Sequence, residues 1–354
     1  MNHYKIQQQG FSLIELMIAT VIGLLLSYAV MEIYVTQTRM YKTTNSQALI
    51  QSTENAIANL VTPIIRSAGF FGCGSLSTSM SNLNGGGSNP LGSLNANPAL
   101  LSGYSQNGTI VITQANPNND NNPGDWTPPL DTTLAGNVQN TSDVLVVLGA
   151  TPGSFPVSIT TIDAASDSFT VQQTTDLNLT AGQFAAISDC VKSSIFLVTG
   201  VSGTTISHAG GSGPYANSSS TFPVSFQPGA QFIPMQQTAF FVAQGQGGQS
   251  ALMRGILTSA GWNIQALVPG VEVMKVQYGI GGNGSISQYV SANAVTNWSQ
   301  VYAIRIGFLI EGQVASGNNN TTQYTVLDTQ VTVPNDNRLR HVYEINIALR
   351  NSTT

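Results

Sequence analysis

The chain opens with a polar stretch, and from Phe11 to Met31 apolar residues fill nearly every position. That run is about 21 residues, or roughly 30 Å as a helix, enough to cross the hydrocarbon core of a bilayer. One carboxylate, Glu15, interrupts it, and from Leu16 to Met31 there is no charge. Helical periodicity continues beyond the apolar run. Residues 33–66 hold no Gly or Pro before Pro63, and Tyr34, Tyr41, Ala48, Ala56, Leu60 and Ile64 recur at steps of four, seven or eight. That spacing predicts one apolar face on an otherwise polar helix. The expectation is a single helix of about 55 residues, roughly 80 Å long, with its first half apolar all round and its second half packed on a globular head. Pro63 is a candidate kink in the last turn. Gly23 is a soft point inside the span, and Gly69, Gly72 and Gly74 supply the stop.

Behind residue 75 the period shortens to that of strands. Alternating β-branched segments bounded by Gly, Asp, Asn and Pro predict strands at 109–114, 143–149, 156–162, 168–173, 183–188, 193–201 and 203–208. Further strands are expected at 222–227, 231–243, 250–257, 262–267, 271–279 and 323–333. Two late stretches alternate most clearly. Tyr302, Ile304, Ile306, Phe308 and Ile310 share one face, as do Tyr343, Ile345, Ile347 and Leu349. Residues 75–108, 116–129, 209–220 and 312–321 read as polar loops. The fold class is therefore α+β, a long N-terminal helix on antiparallel sheet. The strands outnumber what one such sheet needs, so an additional β subdomain is expected over 75–235, with a C-terminal sheet over 236–354.

Composition narrows the class. Charged residues are only 8% of the chain and hydrophobic residues 42%, which suits a loop-rich exported β protein with a core and not a disordered chain. The net charge is −5, and Ser67–Val191 holds no Lys or Arg. A nucleic-acid partner is disfavoured, because no basic surface tracks phosphates there. Lys5 precedes the span while Arg39 and Lys42 follow it, so charge alone does not orient the helix in a membrane.

An ionised carboxylate at membrane depth costs about 2.5–3.5 kcal/mol on insertion scales, so Glu15 needs a partner. A cut after Gly10 would give Phe11 a free ammonium group one helical turn away, on the same chain or on a neighbouring copy. At these residues the chain resembles the type IV pilin superfamily, whose class III leader is a short polar segment, a Gly, a Phe, and an apolar helix with Glu at its fifth position. The resemblance implies cleavage between Gly10 and Phe11 by a prepilin peptidase, N-methylation of Phe11, and a register-setting role for Glu15 in a helical filament. One departure is that Gln7, Gln8 and Gln9 stand where the superfamily usually has a basic residue. On this reading residues 1–10 are leader, 11–35 the transmembrane part of the helix, 36–74 its periplasmic half and 75–354 the head.

Several segments are similar to the PilW family of minor pilins. They are Ile65–Cys73 at the helix end, Asp189-Cys190, Val268–Gly279, Val301–Ile306, Arg338–Tyr343 and Ala348–Asn351, in that order. The resemblance implies a low-abundance subunit that acts with other minor pilins, the major pilin and a PilY-class tip adhesin, held first in inner-membrane lipid and later at the pilus tip. Cys73 and Cys190 fit no zinc spacing. In an exported head a disulfide is favoured over two separate thiols, and the family likeness supports that pairing.

Other chemistry is weakly signalled. Gly279–Gly284 matches GxGxxG formally, but no βαβ unit surrounds it, and a hairpin turn is the better reading. Asp120–Asp125 offers oxygen ligands for calcium without the twelfth-position Glu of an EF-hand, so a solvated loop is favoured. His208 and His341 are too scattered for a metal triad. Ser212 misses GxSxG by one place. No metal, cofactor or catalytic residue is assigned. Two other functions remain, a J-type pseudopilin of a type II secretion system and a surface adhesin, and an enzyme is the weakest class.

Overall fold

The computed structural model describes residues 12–70, 72–73, 79–84, 101–113, 119–130, 132–163, 165–175, 177–213, 215–282, 284–315 and 322–350. The leader with Gly10, the following Phe11, and Gly74 lie outside the described residues. Helix α1 runs unbroken from Leu13 to Arg66, 54 residues. Gly23 stays helical, and its carbonyl also accepts a bond from Ser27 Oγ at 2.8 Å. Pro63 is accommodated inside the last turn, where its own carbonyl still accepts from Ser67 N–H.

Only the second half of α1 is packed. Its buried stripe is Ser46, Ile50, Thr53, Ile57, Val61 and Ile65, at helical steps of three and four. The sequence predicted a neighbouring face. Ala56 and Ile64 lie at the margin of the true stripe, whereas Tyr34, Tyr41 and Leu60 are exposed. Two small hydroxyl residues, Ser46 and Thr53, disguise the buried face, and the head approaches the helix closely at Ser46. A Cβ on Gly312 would come within 2.9 Å of Ser46 Cβ.

The head is built from two main sheets around that stripe. The larger has 13 strands among the described residues and is organised by the long strand Gln231–Gln244. One edge of this strand bonds Phe184–Ser188 and then Ser250–Thr258. The other bonds Val157–Ile162 and then Val144–Ala150. The expected division at 235/236 therefore falls inside a strand whose two halves tie both parts into one sheet. The smaller sheet has the order Ser285–Val290, Val271–Gly282, Val301–Ala315, Arg338–Ala348, all antiparallel. α1 lies against its last two strands. The alternation read from the sequence holds here, since Ile304, Ile306, Phe308, Ile310, Ile347 and Leu349 all enter the core shared with the helix.

Strands of the larger sheet are buried on both faces, which is why they read as nearly continuous apolar runs. In Phe184–Ser188, Phe184 and Ala186 face the helix-side core while Ala185 and Ile187 face a second core. That second core holds Phe169, Phe196, Phe226 and Phe232. Residues 222–227, expected as a strand, pack against it as irregular chain. Pro223 lies inside the segment and Pro228 follows it, and both lack the N–H that a ladder requires. Conversely, Leu101–Gln106 is a strand inside an expected loop. Its inward positions include Gly103 and Ser105, too small to register as an apolar alternation. Gly103 is required there, because a Cβ would meet the Tyr278 hydroxyl at 2.0 Å.

Candidate functional site

The first site is the start of α1. Ser12 is the N-cap: its Oγ accepts from Ile14 N–H at 3.3 Å, and its own N–H donates to Glu15 Oε2 at 3.1 Å. This reciprocal capping box has the Ser-x-x-Glu spacing, and it gives Glu15 a partner within its own helix. It seats the Glu15 carboxylate at the positive end of the helix dipole. From Leu13 to Tyr34 the large apolar side chains are exposed. The most apolar 18-residue window is 0% buried by the rest of the chain. α1 therefore presents a helix long and apolar enough to cross a membrane, with its acid at the N-terminal turn and no cover from its own head.

The second site is where α1 enters the head. The helix ends as Gly69 adopts a left-handed backbone, φ 73°, the usual C-terminal stop. Gly69 N–H donates to Leu148 O at 2.9 Å, and Ala68 bridges Gly149. Gly149 allows this approach, since a Cβ would lie 2.6 Å from Ser67 O. Cys73 is bonded to Cys190, Cα–Cα 4.6 Å, across 117 residues. Closing a loop of that length stabilises by about 4–5 kcal/mol in the chain-entropy model. The bond fastens the chain leaving α1 to the turn after Phe184–Ser188.

Two segments singled out in the sequence meet at the end of the head where Ser46 abuts Gly312. Gly270, φ 81°, turns the chain between Gly261–Pro269 and Val271–Gly282. That turn places Glu272 against Arg340. The guanidinium, 1% exposed, grips Glu272 through Nε–Oε2 at 2.7 Å and Nη2–Oε1 at 3.1 Å. It also holds both oxygens of Asp336 at 2.8 Å. Glu311 completes the cluster, bonded to Arg338 at 2.6 Å and to Arg340 at 3.3 Å. Three carboxylates thus share two guanidiniums. Burial, and then the neighbouring Glu272 charge, push the Glu311 carboxyl up to about 8. Removing one member of so buried a set strands the others, typically at 3–5 kcal/mol. The cluster locks the smaller sheet, but sequence reading could not assemble it, because Glu272 and Arg340 are 68 positions apart.

The remaining candidates separate. His341 Nδ1 lies 2.7 Å from Glu54 Oε1 at the helix–sheet seam. His208 is buried far from it among Phe169, Phe196 and Phe222. In the Asp120–Asp125 loop the two carboxylates accept from Asn122, through its N–H and Nδ2. Among the described residues, no three His, Cys, Asp or Glu converge on a metal position. The GxGxxG stretch is the hairpin joining Val271–Gly282 to Ser285–Val290.

Comparison with known proteins adds three findings. Residues 5–30 match the prokaryotic N-terminal methylation motif. Residues 239–351 match the family of Type IV Pilus-assembly protein W. Among solved structures, the type IV-like pilin TTHA1219 from Thermus thermophilus is similar at 21% identity, over 50% of this chain and 86% of that one, with a TM-score of 0.23, at which the two chains do not superpose as wholes. No match is found among the curated proteins. The methylation motif implies prepilin peptidase processing and assembly with other pilins, and the helix behind it is long and apolar enough to anchor the chain in a membrane. A methylation motif thus stands on an uncovered apolar helix, and the residues that pack a sheet on that helix are similar to the PilW family of type IV pilus proteins.

Proposed function

We propose that this protein is a minor subunit of a type IV pilus that primes assembly and caps the tip. In this reading the leader is removed after Gly10 and Phe11 becomes the N-methylated first residue. The chain waits in the inner membrane with its head in the periplasm. It then enters the filament with other minor pilins, the major pilin and a PilY-class tip adhesin. The observation that carries the reading is the division of α1. Its second half is bound into the head by the buried stripe, while its first half is exposed and apolar. Such a helix has two low-energy surroundings, lipid and a bundle of like helices. Passage between them exchanges one apolar environment for another.

Glu15 discriminates between the two. In lipid the capping bond from Ser12 N–H satisfies one carboxylate oxygen. In a bundle, the Phe11 ammonium of a neighbouring subunit supplies a full opposite charge in a low dielectric, where a pair counts for far more than in water. Glu15→Ala is expected to leave membrane insertion and head folding intact and to reduce surface piliation severely. Membrane fractionation and a count of surface pili check both halves. Normal piliation in that variant would remove the pairing from the mechanism.

A further inference from the structure

A cleft of about 390 Å³ lies between the two sheets and plays no part in the assembly reading. Gln106 and Asn107 from the larger sheet line one side of it, and Gln277 and Tyr289 from the smaller sheet line the other. Asn293 and Asp328 complete its rim. Asp143 and Lys275 also line it, as a buried pair 2.6 Å apart. Asp143 accepts two further bonds, from Gln106 N–H at 2.8 Å and Val276 N–H at 2.9 Å. These bonds join the sheets and fix the cleft's shape.

We propose that this cleft binds a neutral saccharide. Charge is the first argument. Lys275 is the one cation in the lining, and Asp143 neutralises it, while Asp328 accepts a bond from Gln277. Among the lining residues no cation is left over for a phosphate or carboxylate, and Arg305, at the Tyr289 ring, donates its Nε to Asn346 Oδ1. The second argument is hydrogen-bonding type. Most of the lining consists of amides and hydroxyls, which both donate and accept, and a polyol matches them group for group. The third is a fixed aromatic wall. The Tyr289 ring has the Arg305 guanidinium 4.2 Å from its centroid. It also lies over Gly279, where a Cβ would be 3.1 Å from a ring carbon. Its position is therefore set before any ligand arrives, which lowers the ordering cost of binding.

The test uses the full chain in a zwitterionic detergent without a sugar headgroup. Saturation-transfer NMR is recorded with free glucose, galactose, mannose, N-acetylglucosamine and N-acetylgalactosamine, and with N-acetylneuraminic acid as the anionic control. Transfer to at least one neutral sugar is expected, with none to the acid. It should be lost in Tyr289→Ala and weakened in Asn293→Ala, which changes an exposed position. Circular dichroism checks folding in both. If Tyr289→Ala fails to fold, Asn293→Ala decides. No transfer to any neutral sugar, stronger transfer to the acid, or transfer unchanged in a folded variant would overturn the proposal. The assembly reading stands or falls separately, on processing and piliation.

Discussion

At the scale of single residues, the protein concentrates its few charges in places where each has a defined partner. Arg340 is held by Glu272 and Asp336, which leaves Glu311 sharing Arg338 and the rim of Arg340. With its carboxyl raised to about 8 from an ordinary 4.5, the folded state holds a proton that the unfolded chain releases between those values. Stability therefore falls as pH rises through that window. Glu311→Gln removes the titration and keeps one of the two acceptor oxygens that face the arginines. The variant should gain on the order of 2 kcal/mol at pH 8 relative to pH 5, compared with the parent, because Arg338 is partly exposed and screens the effect. Thermal melts of both proteins at the two pH values check this. At this scale partners close in the chain carry a local signature, as the Ser-x-x-Glu spacing of Ser12 and Glu15 does. The sequence was illegible where strands bring distant residues together. Glu272 and Arg340 each stood in a segment that the family likeness marked, yet nothing local said that they touch.

At the scale of elements, the helix and the strongly alternating strands were legible because their period is set by burial on one side. The expected helix face differs from the buried one by a fraction of a turn, since the buried stripe includes two hydroxyl residues, Ser46, which the head approaches closely at Gly312, and Thr53. Short strands that add to an edge, such as Leu101–Gln106, carry too little apolar signal to be read alone. The second core makes the most specific demand at this scale. His208 stacks on Phe222 at 4.1 Å, and neither ring nitrogen has a partner. Burial lowers its pKa from 6.5 to about 4, against the attraction of Asp167. The unfolded chain thus binds a proton that the folded core refuses. The stability linked to this group is complete above pH 6.5 and is lost as pH falls through 4. The loss is on the order of 2–3 kcal/mol. His208→Phe should shift the acid-unfolding midpoint of the head downward, as read by near-ultraviolet circular dichroism. An unmoved midpoint would mean that the second core opens for another reason.

At the scale of the whole molecule, the protein is a packed double-sheet head carried on a rod whose outer half has no cover of its own. The disulfide, the Gly149 approach and the buried stripe all fasten the inner half, so forces on the rod pass into both sheets. The head's double sheet was foreseen as extra strands but not as one sheet threaded by Gln231–Gln244, because strand order depends on contacts that no local pattern encodes. The account rests on the rod being a processed pilin helix. The most direct measurement is intact mass and N-terminal analysis of the full-length protein from cells with and without the prepilin peptidase. A chain beginning at N-methylated Phe11 only when the peptidase is present is the expected result. A chain that keeps residues 1–10 in both strains would contradict it, leaving a membrane-anchored β protein with no route into a filament.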